Sequence, residues 1–280
     1  MTDASTDEIR SWGESALYWE KHFDTIREMF APVSLALIED SALEAGNRVL
    51  DVAGGSGEPS LTVAAAVAPG GTVFYSDPSA EMLAAARRNA VRYQVPNICF
   101  CQTGGDRLPF LSDHFDAVVC RFGAMFFPDP AVALQELLRV ARPGTRVALA
   151  VWDTSEANPF HHVVTDVLAR YIEPVPPDPD AMGAFRFAES GKLEEVFKTA
   201  GAGDVREHVL KFHISAQISI DGFWALRSEM SGTLRDKLKA LPEGQSQRIA
   251  TEVKESAAEY ALEGGLSFPA SVIVVSGESK

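Results

Sequence analysis

The stretch Arg48-Val49-Leu50-Asp51-Val52-Ala53-Gly54-Gly55-Ser56-Gly57-Glu58-Pro59-Ser60-Leu61 decides the fold of this chain. Residues 49–52 form a short apolar run that is typical of a buried strand, and residues 61–67 begin an apolar helical pattern. Three glycines lie between strand and helix, where they permit positive φ angles and let a ligand approach the backbone. Because the helix that follows directs unpaired N–H groups at the same place, the stretch predicts a site for a nucleotide or nucleoside.

The kind of ligand depends on two details of this stretch. Ser60 stands where a dinucleotide-binding turn would have its third glycine, and no Gly-Lys-Ser or Gly-Lys-Thr sequence is present to form a P-loop. Asp51 closes the strand just before the glycines. A carboxylate there repels a pyrophosphate, but it suits a ligand with an ammonium and a sulfonium group, which is the charge pattern of S-adenosylmethionine. The plainer alternative is an ordinary turn with incidental glycines.

The next strand supplies a second acidic residue. Residues 72–77 predict a strand that ends at Asp77, about twenty positions beyond the glycine turn. An acidic side chain at this strand tip can accept hydrogen bonds from both ribose hydroxyls of a nucleoside. Pro78 then leads into a predicted helix over 79–93, and we expect its Met82 to pack on a purine.

Composition and charge narrow the classes of partner. The 280 residues are 46% hydrophobic and 23% charged, so the chain can bury a sizeable core as one enlarged domain or as a domain with a lid. With 25 Lys and Arg against 39 Asp and Glu, the net charge of −14 opposes long-range attraction to phosphate backbones and anionic lipids. We therefore expect no nucleic-acid partner.

The N-terminus and the cysteines indicate the compartment. Residues 1–8 are acidic and polar, with neither a basic nor an apolar region of a signal peptide, and no apolar run approaches membrane-spanning length. Cys99, Cys101 and Cys120 fall in predicted interior strands, which fits buried thiols in a reducing compartment, and their spacing makes no zinc site. These features predict a cytoplasmic protein with no membrane span and no metal.

Alternating strands and helices predict a doubly wound, mostly parallel, seven-stranded α/β sheet of the Rossmann-like type, with helical cap insertions. Ligands in such sheets bind at the carboxyl ends of the strands. After the first two strands, the expected strands cover residues 97–102, 116–121, 146–152, 204–214 and 271–276. The expected units are an N-terminal helical cap (1–45), a core (46–153), a helical insertion followed by a core helix and strand (154–216), a helical lid (217–266) and the final core strand (267–280).

Two segments outside the core carry further expectations. Residues 1–45 predict helices that cap the sheet, and a sharper alternative is that Trp12, Tyr18 and Trp19 form an aromatic lid over the ligand. Within residues 154–190, a cluster of prolines excludes regular structure; its members are Pro174, Pro176, Pro177 and Pro179.

Five motifs follow one another over residues 48–152. They are Val49-Leu50-Asp51-Val52-Ala53-Gly54-Gly55-Ser56-Gly57, Asp77 with Ser79-Ala80-Glu81-Met82-Leu83, Leu108-Pro109-Phe110 with Phe115-Asp116, Arg121-Phe122-Gly123-Ala124-Met125-Phe126-Phe127-Pro128-Asp129, and Arg139-Val140-Ala141-Arg142-Pro143-Gly144. Together they resemble the class I S-adenosylmethionine-dependent methyltransferases, more narrowly the branch similar to quinone-biosynthesis C-methyltransferases and related small-molecule enzymes. The resemblance implies S-adenosyl-L-methionine as cofactor and a small-molecule methyl acceptor as partner.

The chain departs from this family pattern at two positions. Ala53 replaces a usual glycine, and Gly104 stands where the family has an aspartate that contacts adenine. Either Asp106 takes the adenine amino group, or backbone groups at Gly104 and Gly105 do so alone. The cofactor residues that the motifs imply are Asp51, Ala53, Gly54, Gly55, Gly57, Asp77, Pro78, Met82, Gly104, Gly105, Asp106, Arg121 and Phe122.

Candidate catalytic residues lie beyond the fifth strand. Asn158-Pro159 predicts the start of a helix that carries His161 and His162 in its first turn, where the helix dipole disfavours imidazolium. Either histidine is a candidate general base, and surface or packing roles are the alternative. Arg121 either binds an acidic acceptor or pairs structurally with a carboxylate such as Asp153. The expected acceptor site is lined by Trp19, Met125, Phe126, Trp152 and Phe160, with Phe122 beside them.

These features predict an S-adenosylmethionine-dependent methyltransferase that acts on a small lipophilic or aromatic molecule. Two alternatives stay open, an NAD-linked oxidoreductase and a cofactor-binding cyclase or regulatory protein on the same fold. The acceptor, the atom that is methylated and the oligomeric state are left open as well.

Overall fold

One sheet organises the chain, and helices flank it. The structure is a computed structural model that describes residues 3–173, 178–242 and 244–280, without the side chains of residues 3–5. Of the predicted proline cluster, Pro174, Pro176 and Pro177 therefore lie outside the described residues. The strands are β1 (Arg48–Val52), β2 (Thr72–Asp77), β3 (Ile98–Gln102), β4 (Phe115–Arg121), β5 (Ala141–Trp152), β6 (Gly203–Ala216), β7 (Ala261–Leu262) and β8 (Gly265–Glu278).

The strand order confirms the predicted doubly wound architecture. The order is β3-β2-β1-β4-β5-β8-β6, and the short β7 pairs with β8 at the side. The first five strands run parallel, whereas β8 is antiparallel to both β5 and β6. Val49, Leu50 and Val52 of β1 are buried because parallel central strands are covered on both faces. The carboxyl ends of β1, β2 and β4 therefore meet at one edge.

Two strands begin at least five residues earlier than the sequence pattern predicts. The helix before β5 ends at Val140, and β5 begins at Ala141 instead of residue 146, although Pro143 and Gly144 read as a turn. Gly144 takes a φ of +80° and its N–H donates to the carbonyl of Ser279 at 2.8 Å, which carries the pairing through this segment. β8 likewise begins at Gly265 instead of 271, because β6 pairs with it from Leu266 onward.

Eleven α-helices lie among the described residues. They are α1 (Asp3–Lys21), α2 (Phe23–Met29), α3 (Ala31–Asp40), α4 (Ser60–Ala66), α5 (Ala80–Arg92), α6 (Pro130–Val140), α7 (Pro159–Leu168), α8 (Lys192–Ala200), α9 (Ile220–Met230), α10 (Gly232–Ala240) and α11 (Gln245–Ala257). Ser79 caps α5 by accepting a hydrogen bond from the Met82 N–H at 3.2 Å, as expected for a serine N-cap. None of these helices is long and apolar enough to cross a membrane.

The first helix joins the core to the inserted helices. Glu20 of α1 accepts two hydrogen bonds from Arg88 of α5, at 2.7 and 2.6 Å. On its other side, Ser15 accepts from Arg235 of α10 at 2.9 Å, and Lys21 donates to a carboxylate of α9 at 2.7 Å. α1 thus bridges the start of the sheet and the segment that follows β6.

The cysteine prediction is wrong for two of the three residues. Cys120 in the central β4 is buried, but Cys101 is half-buried and Cys99 is exposed. Both lie in β3, which is the edge strand of the sheet and is covered less completely than the strands beside it.

Candidate active site

The glycine turn after β1 has the backbone that its sequence requires. Ala53, Gly55 and Gly57 all have positive φ angles, of 56°, 55° and 120°. Gly54 has no room for a side chain, because a Cβ there would lie 2.6 Å from the Tyr75 ring and 2.9 Å from Oδ2 of Asp51. The turn therefore needs glycine at 54 for space and tolerates alanine at 53 only in a left-handed conformation.

Hydrogen bonds from the neighbouring elements fix this turn. Asn89 of α5 donates from Nδ2 to the Ser56 carbonyl at 2.9 Å, and the Tyr75 hydroxyl donates to the Gly55 carbonyl at 2.6 Å. A Cβ built on Gly55 would meet no atom within 4 Å. Hydrogen bonds thus fix the backbone of the turn. The side of Gly55 on which a Cβ would stand is open, so a ligand can lie against the backbone there.

Asp51 is a buried carboxylate with an unused oxygen. Its Oδ2 accepts a hydrogen bond from the Ser60 hydroxyl at 2.6 Å, and its Oδ1 has no partner among the described residues. Burial raises the pKa of Asp51 to about 7, although the Ser60 bond and the charge of Arg121 oppose the rise. An orphaned buried carboxylate oxygen is costly, and a cationic or N–H-bearing ligand would relieve that cost.

Asp77 provides the second carboxylate of the turn. It accepts hydrogen bonds from the Gly55 N–H at 3.0 Å and the Ser79 N–H at 2.9 Å. Burial raises the pKa of Asp77 to about 6, because desolvation outweighs the two backbone bonds. Each oxygen keeps a free lone pair, so the carboxylate can accept further bonds from a ligand. Asp77 is thus bonded to the backbone of Gly55, Asp51 lies beside Gly54, and the cofactor contacts expected of both carboxylates stay predictions.

The other predicted cofactor residues lie around this turn and keep their roles as predictions. Met82 is buried behind Ser79, and Pro78 follows Asp77 directly. In the loop after β3, Oδ1 of Asp106 lies 2.9 Å from where a Cβ of Gly104 would stand. Asp106 thus folds over Gly104, and both adenine alternatives stay predictions.

Protein groups hold the guanidinium of Arg121, and its expected roles toward an acidic acceptor and the cofactor stay predictions. Its guanidinium donates to Ser34 Oγ at 2.8 Å, to the Phe30 carbonyl at 3.5 Å and to the Glu58 carbonyl at 3.3 Å. Asp153 instead accepts from the Ser271 hydroxyl at 2.6 Å and from the Thr154 N–H at 2.7 Å. The expected pairing with Asp153 is therefore wrong. Arg121 binds the N-terminal helices to the sheet, and burial lowers the pKa of its guanidinium.

Aromatic rings line the space beyond β4 and β5. Phe122 stacks on Trp152 with ring centroids 4.5 Å apart, and Phe30 contacts both rings edge-on. Phe122 keeps accessible surface, whereas Phe160 is largely buried. Met125, predicted to contact the acceptor, is only 1% exposed and belongs to the hydrophobic core.

Two of the three rings expected to form an aromatic lid contact each other, and their position over a ligand stays a prediction. Trp12 contacts Trp19 at 5.9 Å and Phe126 at 5.1 Å between ring centroids, so α1 lies over the segment after β4. Tyr18 is not part of this cluster, because its ring stacks under the guanidinium of Arg235 at 5.0 Å. α1 also covers the start of α5, since a Cβ on Gly13 would lie 2.7 Å from the Glu81 carboxylate.

The two candidate histidines face different surroundings. His162 is half-exposed and pairs with Asp166 at 3.3 Å. His161 packs edge-on against Trp152 at 4.5 Å and against Phe185 at 5.3 Å. The pKa of His161 is lowered well below its usual range by burial first, and then by the charges of Arg227 and His162. Desolvation, more than the helix start, keeps this imidazole neutral.

Asn158 stands at the start of α7 but does not cap it with its side chain. Its amide pairs with the backbone of Ser271, donating to the carbonyl and accepting from the N–H, both at 3.0 Å. Nδ2 also donates to the Thr154 carbonyl at 2.8 Å. This buried side chain fixes the helix start, and hence His161, to β8.

Arg227 of α9 was not singled out from the sequence. Its Nη2 approaches Nδ1 of His161 at 3.4 Å, and its guanidinium lies 4.5 Å above the Phe160 ring. Burial lowers its pKa to about 10. The available signal was its position on the apolar side of its helix, because Phe223, Arg227 and Met230 follow the spacing i, i+4, i+7.

Comparison with known proteins adds a family match. A model of the ubiE/COQ5 methyltransferase family matches residues 35–176. An uncharacterized protein of Mycobacterium tuberculosis is 37% identical over 125 residues, which are 45% of this chain and 44% of the relative. The ubiquinone/menaquinone biosynthesis C-methyltransferase UbiE of Pseudomonas aeruginosa is 35% identical over 122 residues, 43% of this chain and 48% of that enzyme. The chain thus spans about half the length of the curated relatives it matches.

A solved structure agrees with the fold over most of the chain. The YcgJ protein of Bacillus subtilis matches with a TM-score of 0.56 and 21% identity, over 89% of this chain and 98% of that protein. At this identity the match concerns the fold alone. The family match does not favour the oxidoreductase, cyclase or regulatory alternatives.

Proposed function

The chain belongs to the ubiE/COQ5 methyltransferase family, and we propose that it transfers a methyl group to a small, lipophilic or aromatic acceptor. Its cofactor is S-adenosyl-L-methionine. The observation that carries the proposal is the pair of buried carboxylates, Asp51 and Asp77, next to the open glycine turn. One of these carboxylates has an oxygen without a partner among the described residues.

The residues of this turn fit the two ends of the cofactor. Oδ1 of Asp51 is free to accept a hydrogen bond from an ammonium group, and the free lone pairs of Asp77 suit ribose hydroxyls. Gly55 lets a ligand lie on the backbone, because nothing lies within 4 Å of the place of its missing Cβ. When bound, S-adenosyl-L-methionine supplies an electrophilic methyl group on a sulfonium centre.

The chain contributes mainly alignment and a dry site. Phe122, with the buried Trp152 stacked on it, and the cluster of Trp12 with Phe126 present apolar surface next to the turn, which orients a flat acceptor and excludes water. An acceptor that must lose a proton needs a group that takes the proton or stabilises the resulting anion. His161 is the buried imidazole at this place, and His162 pairs with Asp166 instead.

We also propose that residues 1–45 and the helices α9, α10 and α11 act as caps over the acceptor. α1 covers the start of α5 and is bonded to both α9 and α10, so it lies across the entry to the turn. Hydrogen exchange in α1 should be faster without S-adenosylhomocysteine than with it. Equal protection of α1 and of β1 in both states would show that α1 is a fixed part of the core.

Ligand titration tests the proposed function. S-Adenosylhomocysteine should raise the melting temperature of the wild-type protein, and NAD should not. Asp77→Asn should weaken S-adenosylhomocysteine binding by about 10- to 150-fold, because hydrogen bonds to charged groups contribute about 1.5–3 kcal/mol. Asp236→Asn, on the exposed side of α10, is the matched control and should bind as the wild type does.

Mass spectrometry tests the transfer itself. Incubation with S-adenosylmethionine and a panel of aromatic carboxylates and phenols should yield a product heavier by one methyl group. A protein that responds to NAD and not to S-adenosylhomocysteine would refute the assignment of the cofactor. A protein that binds S-adenosylhomocysteine but methylates no small acceptor would refute the assignment of the acceptor class.

A further inference from the structure

Two side chains that contact each other near the aromatic cluster each have a buried nitrogen atom without a partner among the described residues. These atoms are Nε2 of His161 and Nε of Arg227. The two side chains contact each other through Nη2 of Arg227 and Nδ1 of His161, at 3.4 Å. The two residues are 66 positions apart, so the contact is made only by the packing of α7 and α9.

This contact determines the state of the imidazole. A guanidinium has only donors, so Nδ1 of His161 must accept, and the proton of the neutral ring is therefore on Nε2. The pKa of His161, lowered well below its usual range, keeps the ring neutral. Nε2–H of His161 and Nε–H of Arg227 are thus two donors without acceptors in one cluster.

The guanidinium also lacks a counter-charge. Within residues 6–173, 178–242 and 244–280, whose side chains the structure describes, no carboxylate forms an ion pair with Arg227. Desolvation is the cause of its lowered pKa, without an opposing acidic neighbour. The ring of Phe160 below it gives only a cation–π contact, at 4.5 Å. A cation without a pair in such surroundings is costly unless a ligand brings the negative charge.

The cluster borders accessible space and is not sealed in the core. His161 and Arg227 each keep partial solvent-accessible surface although their environment is strongly desolvating. Phe185 packs edge-on against His161, and Trp152 connects His161 to Phe122. The two donor atoms are buried beside these rings, which connect the cluster to the tips of β4 and β5.

We propose that His161 and Arg227 bind an oxyanion of the acceptor, so that the acceptor is an aromatic molecule with a carboxylate or phenolate group. This inference rests on the proposed function and narrows its substrate class. In this role His161 donates a hydrogen bond from Nε2 and positions the acceptor, and it does not take up a proton. Arg227 supplies the balancing charge, and the aromatic rings hold the apolar part of the acceptor.

Binding of simple anions to the full chain tests the proposal. The probes are benzoate, 4-nitrophenolate and neutral benzamide, each titrated at millimolar concentration in the presence of S-adenosylhomocysteine. One or both anions should bind at least tenfold more tightly than benzamide, and the two anions separate a carboxylate from a phenolate preference. Bound 4-nitrophenolate should also show a shifted absorption band, and Arg227→Gln and His161→Phe should abolish that shift if it arises at this cluster.

Variants assign that binding to the cluster. Arg227→Gln should weaken the preferred anion by about 10- to 100-fold, and Arg227→Lys should restore part of the affinity. His161→Phe should weaken binding, whereas His161→Gln, which keeps a donor near Nε2, should retain most of it. Arg248→Gln, an exposed position of α11, removes the same charge and should have no effect.

Parallel thermal shifts with S-adenosylhomocysteine separate the two proposals. If the wild type does not respond to that ligand, the proposed function fails. If it responds but binds neither anion more tightly than benzamide, or if Arg227→Gln and His161→Phe both bind the anion as the wild type does, the oxyanion site is refuted. The His161 variants keep the test decisive if Arg227→Gln does not fold.

Discussion

Replacement of Gly55 by alanine separates the ligand role of the glycine turn from its conformational role. Gly55 has a φ of +55°, its N–H donates to Asp77 and its carbonyl accepts from Tyr75. A methyl group at this position would meet no protein atom within 4 Å. The folded protein therefore accommodates the side chain sterically, and the cost to stability comes from the left-handed backbone.

That backbone cost is small and measurable. An L-residue in this conformation is about 1–2 kcal/mol less stable than glycine, and the reduced freedom of the unfolded chain returns about 0.4–1 kcal/mol. We therefore expect a net loss of about 1 kcal/mol, which lowers the melting temperature by about 2–4 °C in a chain of this size. Gly144→Ala is the matched control, because Gly144 also has a positive φ, of +80°, and no atom within 4 Å.

The two variants should differ in cofactor affinity. The new methyl group of Gly55→Ala occupies the face where the ligand approaches the backbone, and such overpacking costs about 1–3 kcal/mol, or about 5- to 150-fold in Kd. Gly144→Ala should bind S-adenosylhomocysteine as the wild type does. Isothermal titration of both variants measures the difference. Equal affinities, at similar losses of stability, would refute the position of the cofactor at the open face of Gly55.

Three further predictions concern other parts of the site. Burial raises the pKa of Asp51 from 3.8 to about 7 in the folded chain. The contribution of this group to the free energy of unfolding is therefore complete below pH 4 and is lost as the pH rises to about 7. Denaturant titrations should show that the wild type loses at most about 4 kcal/mol relative to Asp51→Asn over that window. Gly54→Ala should destabilise far more than Gly183→Ala in the same assay, because only the first Cβ meets other atoms. His162→Ala should keep turnover within about threefold of the wild type, and a loss of 100-fold or more would make His162 the general base.

The core of the fold was predictable because each of its signals is local. The apolar run at 49–52 and the glycines after it determine a strand and a turn from neighbouring residues alone. Asp51 and Asp77 were predictable as a pair, because successive parallel strands place their carboxyl ends at the same edge. The parallel direction of the core strands was predictable in the same way, and it required no knowledge of individual side-chain contacts.

Strand lengths and side-chain directions depend on contacts between distant segments. Pro143 and Gly144 read as a turn, but pairing with the C-terminal strand draws them into β5. Arg121 ends β4 as expected, yet its guanidinium turns toward Ser34 and Glu58, which lie 87 and 63 positions away. No periodicity in the sequence encodes such a choice, because several partners lie within reach of a long side chain.

The contact between His161 and Arg227 could not be predicted from the sequence. An arginine on the apolar side of α9 conflicts with the pattern of its own helix, and such conflicts concentrate at functional sites. The sequence can show that this charge is out of place, but it cannot show what the charge meets. The fold places it against the one ring nitrogen that must accept, and this leaves the opposite nitrogen of His161 as a donor. A histidine that reads as a base in the sequence therefore becomes, through a neighbour 66 residues away, a donor suited to an anion.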